Sequence, residues 1–189
     1  MAADESKSSG SAFQAGQTGL VVRIPEAEPV VRGWRERLDP SARAGVPAHV
    51  TVLFPFLEES RLDPLVHAAL EDVLRCHPAF DLRFEKCGRL PEVLYLVPEP
   101  AAPLIRLTEA IADRWPEAPP YGGRFAEIVP HLTIAQGQDD AVLEEIEADL
   151  GGRLPFTSHV SSVELMVHDG AKWRTRASFA LGDRPRHRP

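Results

Sequence analysis

Two short β-prone runs, one in each half of the chain, place a histidine, an apolar residue and a threonine in the same order. The first run is HVTVLFPF (49–56) and the second is PHLTIAQ (130–136). Successive side chains on a strand point to opposite faces, so the histidine and the threonine of each run share one face. The apolar residues of each run take the other face and can pack on the core. The chain must therefore fold so that two strands both present polar side chains away from the core.

The runs also lie in segments that share an order of predicted elements: a helix, the motif strand, a second helix and a hairpin. Helices are indicated by apolar residues at intervals of three and four, and strands by alternation between turn residues. The repeated order predicts two lobes, each of which contributes one motif strand to a shared cleft. The predicted elements in chain order are a strand at 18–24, a helix at 28–38, a strand at 49–56, a helix at 63–77, strands at 80–90 and 93–97, a helix at 103–115, a strand at 130–136, a helix at 139–152, and a hairpin formed by 156–170 and 172–181.

The four polar motif residues, His49, Thr51, His131 and Thr133, match the needs of in-line attack at a phosphodiester or a cyclic phosphate. One group must take a proton from the attacking water or hydroxyl, and another must give a proton to the departing oxygen. A free imidazole titrates near pH 6.5, so one neutral and one protonated histidine can coexist near neutrality. Threonine hydroxyls can donate hydrogen bonds to the non-bridging phosphoryl oxygens, where negative charge must be held. The sequence alone does not distinguish the base from the acid.

Metal binding is an alternative use of the two motif histidines. A metal site needs three or four converging His, Cys, Asp or Glu ligands. No third ligand stands at ligand-type spacing from either motif, and Cys76 and Cys87 form neither a metal-ligand pattern nor a disulfide framework. We therefore expect neither a metal ion nor another cofactor.

The charge of the chain limits the size of a nucleic-acid partner. Its 189 residues carry a formal net charge of −7, whereas proteins that grip long duplexes usually present a basic surface. A nucleic-acid partner is therefore expected to be small or to be held at a local site.

The apolar runs are too short to cross a bilayer, and the N-terminus has no stretch typical of a signal peptide. We expect a cytoplasmic protein without a membrane partner, and the sequence indicates no oligomeric state.

A loop rich in proline and glycine, just before the second motif, contains two candidate substrate-binding residues. In this loop Tyr121 could stack on a base and Arg124 could pair with a phosphate. The alternative is a simple connecting loop with a solvated arginine. Phe56 and Trp173 could also stack on a base, although packing in the core or in a hairpin is the more common role of such residues.

The paired motifs resemble the His-x-Thr/Ser signatures of the two-histidine (2H) phosphoesterase superfamily. The context HVTVLFPF and the approach PPYGGRFAEIVPHLTIA to the second motif are most similar to its bacterial 2′-5′ RNA ligase-like branch, and the resemblance spans most of the chain. It implies an α+β fold that is bilobal and pseudo-symmetric, with antiparallel sheets around a central cleft and helices on the outside.

The same resemblance implies a metal-independent phosphoesterase or a reversible RNA ligase. Its substrates would be 2′,3′-cyclic phosphates or 2′,5′-linked RNA ends and small nucleotide phosphodiesters. By this resemblance, His49 and His131 are the acid–base pair. Thr51 and Thr133 would hold the phosphate.

The chain is predicted to form one bilobal domain between two tails. Residues 1–17 are rich in Ser, Gly and Ala and are predicted to be disordered, residues 18–181 form the domain, and residues 182–189 form a second tail.

A non-catalytic module on the same fold is the alternative to an enzyme, since it could bind nucleotides or RNA ends without turnover. The enzyme is favoured because all four polar motif positions are intact.

Overall fold

The computed structural model describes residues 13–124 and 127–183. Within them the elements follow the predicted order, with an additional short helix after the first long one. The strands are β1 (Thr18–Arg23), β2 (His49–Leu53), β3 (Phe80–Leu90), β4 (Val93–Glu99), β5 (Leu132–Gln136), β6 (Phe156–Val160), β7 (Ser162–His168) and β8 (Trp173–Ala180). The helices are α1 (Glu28–Leu38), α2 (Pro40–Arg43), α3 (Pro64–Arg75), α4 (Ala102–Arg114) and α5 (Asp140–Gly151), with 3-10 turns at Pro25–Ala27, Glu59–Arg61 and Pro120–Gly123.

Two of the longer helices begin where the sequence places an aspartate as capping residue. The carboxylate of Asp63 accepts a hydrogen bond from the Val66 amide at 2.8 Å, at the start of α3. The carboxylate of Asp139 accepts one from the Val142 amide at 3.0 Å, at the start of α5. These side chains satisfy amides that have no partner within the first turn of a helix.

The strands of the described residues form two antiparallel sheets of four strands each. The first sheet has the order β2-β1-β7-β8 and the second has the order β5-β4-β3-β6. Each motif strand is thus the edge strand of its sheet, and the two edges contact each other. One hydrophobic core includes residues of both sheets and of α1, α3, α4 and α5. The predicted α+β fold with two antiparallel sheets is confirmed.

The two sheets do not correspond to the two halves of the chain. The first sheet pairs β1 and β2 with β7 and β8 from the other end of the chain, and the second pairs β3 and β4 with β5 and β6. The predicted hairpin over 156–181 is correct for β7 and β8 but wrong for β6, which pairs with β3. The reason is a matching alternation, since Ser158 and Val160 of β6 are buried and lie across from the buried Leu82 and Phe80 of β3.

The helices exchange partners between the two motif strands. Helix α1 precedes β2 in the chain but packs against β5, and α4 precedes β5 but packs against β2. Side chains reinforce both contacts. The Thr108 hydroxyl of α4 donates to the Val52 carbonyl of β2 at 2.7 Å, and Nε of Arg35 in α1 donates to the Thr133 carbonyl of β5 at 3.1 Å. Each motif strand is therefore held by the helix that leads into the other one.

The predicted tails lie partly outside the described residues, which exclude 1–12 and 184–189. Where the structure describes them, they contact the domain. Phe13 packs against Phe54 and Trp173, with ring centroids 6.4 and 5.4 Å apart. The Gly182 amide donates to the His77 carbonyl at 2.8 Å. Among the described helices, none has both the length and the apolar character that a membrane crossing needs.

Candidate active site

The two motif strands lie side by side, and their side chains alternate as predicted. The histidine and the threonine of each motif are half-buried. The apolar residues between and after them are buried in the core: Val50, Val52, Leu132 and Ile134. The two strands contact each other, with each motif strand at the edge of its own sheet. The fold thus brings together the two motifs that the sequence keeps apart.

Both motif histidines are anchored in the same way. His49 Nδ1 lies 2.7 Å from the carbonyl oxygen of Pro47, and His131 Nδ1 lies 2.7 Å from the carbonyl oxygen of Val129. A carbonyl oxygen can only accept a hydrogen bond, so Nδ1 carries the hydrogen in both rings. In the neutral ring, Nε2 then holds the lone pair. The backbone therefore orients both rings with the same nitrogen ready for proton transfer.

The surroundings of His49 keep its ring neutral. The pKa of His49 is lowered from 6.5 to about 4. Burial of the ring is the largest cause, and the positive charge of the Arg35 guanidinium is the second. The hydrogen bond to Pro47 and the carboxylate of Asp39 act in the opposite direction, and His131 adds a further lowering effect. At neutral pH, His49 is therefore an unprotonated base.

A buried ion pair connects the segment before β2 to β5. Arg35 is 2% exposed and Asp39 is 1% exposed, and Nη2 of the arginine lies 2.8 Å from Oδ2 of the aspartate. The guanidinium also donates to the Thr133 carbonyl at 3.1 Å and to the Val46 carbonyl at 3.4 Å. The carboxylate accepts hydrogen bonds from both the amide and the hydroxyl of Ser41. These partners of the charge pair lie in the segment that leads into the first motif and in the second motif itself.

This pair is not among the residues predicted from the sequence, although the sequence carries a signal for it. The helical interval of four places Arg35 on the same face as Val31, an apolar residue that packs in the core, and places Asp39 one turn further on. A charged side chain on a buried face needs a partner of opposite charge, and the same interval supplies one.

Two tyrosines flank His131. The ring of Tyr121 is stacked with the imidazole at a centroid separation of 6.5 Å and an angle of 21°, and Tyr95 approaches it at 5.6 Å with its ring inclined by 67°. The Tyr121 hydroxyl donates to the Val129 carbonyl at 3.4 Å, and this is the carbonyl that anchors His131. Burial raises the pKa of Tyr121, so the phenol stays protonated as a donor. Its φ of +54° is strained for a residue with a side chain, as is often found at functional sites.

Tyr95 lies beside His131 but is not among the residues predicted from the sequence. It lies across from Thr133 on β5 and across from Gly88 on β3. A Cβ atom at Gly88 would lie 2.5 Å from Cζ of the tyrosine, so only glycine lets the ring cross β3. The signal was the alternation in VLYLV, where Leu94 and Leu96 are buried and Tyr95 takes the opposite face.

An apolar pocket adjoins the first motif. Its empty volume, including the part open to solvent, is about 420 Å³, and His49 and Thr51 form part of its lining. The rings of Phe13, Phe54 and Trp173 line it and contact one another edge to face. Trp173, which the sequence offered as a stacking residue, thus lies beside the motif.

The remaining sequence candidates, Phe56 and Arg124, lie in different surroundings. Phe56 is buried against Trp115, with centroids 5.2 Å apart, and belongs to the core. Arg124 is exposed after the turn that holds Tyr121, and the next two residues lie outside the described ones. Among residues 13–124 and 127–183, no three His, Cys, Asp or Glu side chains are grouped as a metal site. What the motifs bring together is two oriented imidazoles and two hydroxyls, a set suited to acid–base chemistry on an anion.

The chain matches one protein family over most of its length. Residues 24–172 match the family model described as the 2′-5′ RNA ligase superfamily. A protein of Bacillus cereus strain G9842, provisionally named a phosphoesterase, is 30% identical over 165 residues, which cover 79% of this chain and 87% of the relative. A protein of Bacillus thuringiensis strain Al Hakam with the same provisional name is 28% identical over the same shares.

Solved structures show the same fold at low identity. E. coli LigT in its apo form aligns with a TM-score of 0.58 at 19% identity, over 90% of this chain and 100% of that one. The protein TT0787 of Thermus thermophilus aligns with a TM-score of 0.59 at 19% identity, over 88% of this chain and 98% of that one. Together with the family match and the two anchored motifs, these findings show that the chain belongs to the 2′-5′ RNA ligase superfamily of two-histidine phosphoesterases.

Proposed function

We propose that this protein cleaves 2′,3′-cyclic phosphates or 2′,5′-linked phosphodiesters at RNA ends or in small nucleotides, without a metal ion. His49 and His131 are the acid–base pair, and Thr51 and Thr133 bind the phosphate. The observation that carries the proposal is the matched anchoring of the two imidazoles, each held through Nδ1 by the carbonyl two residues before it. Such anchoring is what an imidazole needs in order to exchange a proton through Nε2.

The chemistry follows from the geometry of in-line displacement. One histidine takes a proton from water as its oxygen forms a bond to phosphorus. The other gives a proton to the ribose oxygen as its bond to phosphorus breaks. The hydroxyls of Thr51 and Thr133 donate to the non-bridging oxygens, which bear more charge in the transition state than in the ground state. The product is a phosphate monoester with a free neighbouring hydroxyl.

Ligation is the same reaction with a different nucleophile. If the 5′-hydroxyl of a second RNA end replaces water, the cyclic phosphate opens to a phosphodiester linkage. The same pair of histidines serves ligation and its reverse, the cleavage of that linkage back to a cyclic phosphate. Each group that accepts a proton in ligation donates it in the reverse reaction. Water and RNA ends thus compete for one phosphorus.

A nucleoside portion of the substrate is supported by what a neighbour in fold binds. E. coli LigT, whose TM-score is 0.58 in this complex, has been crystallised with 3′-AMP, the monoester formed when 2′,3′-cyclic AMP opens at its 2′ oxygen. In the present chain, aromatic rings lie on both sides of the histidine pair. Phe54 and Trp173 lie beside His49, and Tyr95 and Tyr121 lie beside His131. Either side offers a face on which a base can stack.

Turnover of 2′,3′-cyclic AMP in the presence of a chelator tests the proposal. We expect conversion to a 2′- or 3′-monoester at a rate that is unchanged by the chelator and is lowered by about 10²–10⁴-fold in His49→Ala and in His131→Ala. Binding of the nucleotide without any product would favour the non-catalytic module, and loss of turnover in chelator would indicate a metal enzyme. Lys172→Ala, an exposed residue outside both motifs, serves as the matched control.

A further inference from the structure

The aromatic pocket next to the first motif is built partly by a residue from the start of the described chain. Its empty volume is about 420 Å³, including the part open to solvent, and its rings are those of Phe13, Phe54 and Trp173. The three rings contact one another edge to face, with centroids 5.4–6.4 Å apart. His49 and Thr51 belong to the same lining. A group bound at these two motif residues therefore has the pocket as its immediate neighbour.

Phe13 is held in this wall by the turn that follows it. The amide of Gly16 donates to the carbonyl of His168 at 2.9 Å, and the amide of His168 donates to the carbonyl of Gln17 at 2.9 Å. The ring of Phe13 also contacts the ring of His168, with centroids 5.8 Å apart. The start of the described chain is therefore fixed to the end of β7.

Two of the three rings come from outside the part of the chain that matches the family model. Phe13 precedes the matched residues 24–172, and Trp173 directly follows them. Phe54, which directly follows β2, lies within the match. The family match therefore does not account for the pocket as a whole, and its ligand has to suit the chemistry of these rings.

The lining of the pocket favours a neutral, flat group. Across the described part of the chain, no acidic or basic side chain other than His49 lines it. Besides the three rings, the lining consists of Gly19, Val21, Ser41, Val46, His49, Thr51 and Met166. A second phosphate would find no cation there. The base is the neutral, flat part of a nucleotide, and its two faces can stack on aromatic rings.

The polar groups of the lining outside the motif are already engaged. The hydroxyl of Ser41 donates to the carboxylate of Asp39 at 2.8 Å. The amide of Val46 donates to the carbonyl of Ser41 at 3.0 Å, and the carbonyl of Val46 accepts from Arg35 at 3.4 Å. Nε1 of Trp173 is buried, so it is not presented to a ligand. Hydrogen bonds to its edge are what identify a base, whereas every base has a face that can stack. The pocket therefore offers rings to any base and leaves its edge unread.

The tyrosine side of the site is less suited to a base. The ring of Tyr121 is already stacked with the imidazole of His131, at a centroid separation of 6.5 Å and an angle of 21°. The ring of Tyr95 is inclined to the same imidazole by 67°. Both tyrosines thus pack on the histidine. The pocket beside His49 is the better place for a base.

We propose that the pocket formed by Phe13, Phe54 and Trp173 binds the nucleobase of the substrate by stacking and does not distinguish the four bases. Phe13 is then a specificity-determining residue, which favours nucleotides and RNA ends over phosphate esters that have no base. This inference rests on the proposed function, because a phosphate held by the two motifs brings the base to the pocket. The substrates are RNA ends of any sequence.

Five substrates with the same reacting group test the proposal. They are the 2′,3′-cyclic phosphates of adenosine, guanosine, cytidine and uridine, and that of 1-O-methylribose, which has no base. We expect kcat/KM to be at least about fivefold lower without a base, the smallest effect of one stacked ring. Between bases of equal size we expect less than about a tenfold difference, because stacking is tolerant of base identity. A smaller effect of the base, or a larger difference between equal-sized bases, overturns the proposal.

The role of Phe13 is tested by the ratio of kcat/KM with a base to kcat/KM without one. Because both values come from the same variant, a loss of folded protein cancels in this ratio. Phe13→Ala should lower the ratio at least about fivefold for all four bases. Phe156→Ala is the matched control, since it removes a half-buried ring that stacks on Phe84 in the second sheet, and it should leave the ratio unchanged. An unchanged ratio in Phe13→Ala overturns the role of Phe13.

Two further variants keep the test decisive. If Phe13→Ala does not fold, Phe13→Leu removes the ring and keeps an apolar side chain, and it should lower the ratio in the same direction. Trp173→Phe keeps a ring but loses the indole N–H, and it should leave the ratio unchanged for every base. A loss for one base alone in Trp173→Phe would mean that the indole reads the base, and it would overturn the claim that the bases are not distinguished.

A binding measurement separates failure of this inference from failure of the proposed function. If the wild-type protein turns over none of the five substrates, the proposed function fails. Calorimetry then tests the pocket alone, because 3′-AMP and ribose 3-phosphate differ only in the base. We expect 3′-AMP to bind at least about fivefold more tightly, and equal affinities would overturn the pocket as a base site as well.

Discussion

The half of the site that contains His49 and the half that contains His131 share a framework but differ in what surrounds it. Both histidines are anchored through Nδ1 to a carbonyl at 2.7 Å, and both lie at the edge of a sheet. The ring of His49 lies near a buried guanidinium and an apolar pocket, whereas His131 lies between two tyrosines. In the function we propose, the shared part positions the two imidazoles, and the unshared part keeps His49 neutral and offers different side chains to the substrate beside each ring.

The largest expected effect comes from removing either proton carrier. His49→Ala and His131→Ala should each lower kcat on 2′,3′-cyclic AMP by about 10²–10⁴-fold, as expected for one positioned acid or base. The double variant should lose much less than the product of the two single losses, because the pair acts as a unit. Steady-state kinetics on all three variants measures this. Fully multiplicative losses would mean that the two halves work independently.

The buried faces of the two motif strands should matter for stability to a similar degree. Ile134→Ala in β5 and Val52→Ala in β2 should each lower the free energy of unfolding by about 1–4 kcal/mol, through lost burial and the cavity left behind. Urea denaturation followed by circular dichroism measures both. The histidine variants are the contrast, since their rings are half-buried and should change stability much less. Unfolding of the histidine variants, with intact apolar ones, would mean that the histidines are structural.

His49 should make the protein sensitive to mild acid. Its pKa is about 4 in the folded protein and 6.5 in an unfolded chain, so between these values only the unfolded chain takes up a proton. Stability from this residue is therefore complete above pH 6.5 and is lost as the pH falls towards 4. We expect a loss of roughly 1–3 kcal/mol, which His49→Gln should abolish. Urea denaturation at several pH values tests this, and an unchanged slope in the variant would contradict it.

The two threonines test whether the phosphate is shared equally between the halves. Thr51→Val and Thr133→Val should each weaken transition-state binding by about 1.5–3 kcal/mol, the range for a hydrogen bond to a charged group, with side-chain shape nearly kept. The measurement is kcat/KM for each variant. Equal losses would support a phosphate placed symmetrically, and a loss confined to one variant would place it in one half.

The smallest expected effect concerns the tyrosine side of His131. Gly88→Ala would bring a Cβ to within 2.5 Å of the Tyr95 ring, so the ring must move. We expect a several-fold rise in KM for cyclic nucleotides. The fall of kcat at acid pH should change little, because the surroundings of His49 are untouched. Gly33→Ala, where a new Cβ meets no atom within 4 Å, is the matched control. Equal behaviour of the two variants would remove Tyr95 from the site.

The sequence predicted the local structure of the motifs better than their surroundings. Alternation placed His49, Thr51, His131 and Thr133 on the outer faces of two strands, because period-two patterns depend on neighbouring residues alone. The partners of those strands depend on contacts between distant segments. The pairing of β6 with β3 was missed for that reason, as were the hydrogen bonds of Arg35 to Thr133 and Val46, although its ion pair with Asp39 has a local signal in the interval of four. Alternation in β4 turns Tyr95 away from the core, but its place beside His131 follows only from the pairing of β4 with β5.

The exchange of strands and helices has a practical consequence for cutting the chain. A break at the exposed residues Glu99 and Pro100, between β4 and α4, yields two fragments of which neither contains a complete sheet. Each fragment would hold one motif histidine, and each would lack the helix that packs on its own motif strand. Catalytic activity in such a system would report that the two fragments had associated and folded together. The chain could therefore be developed into a split-protein reporter of association.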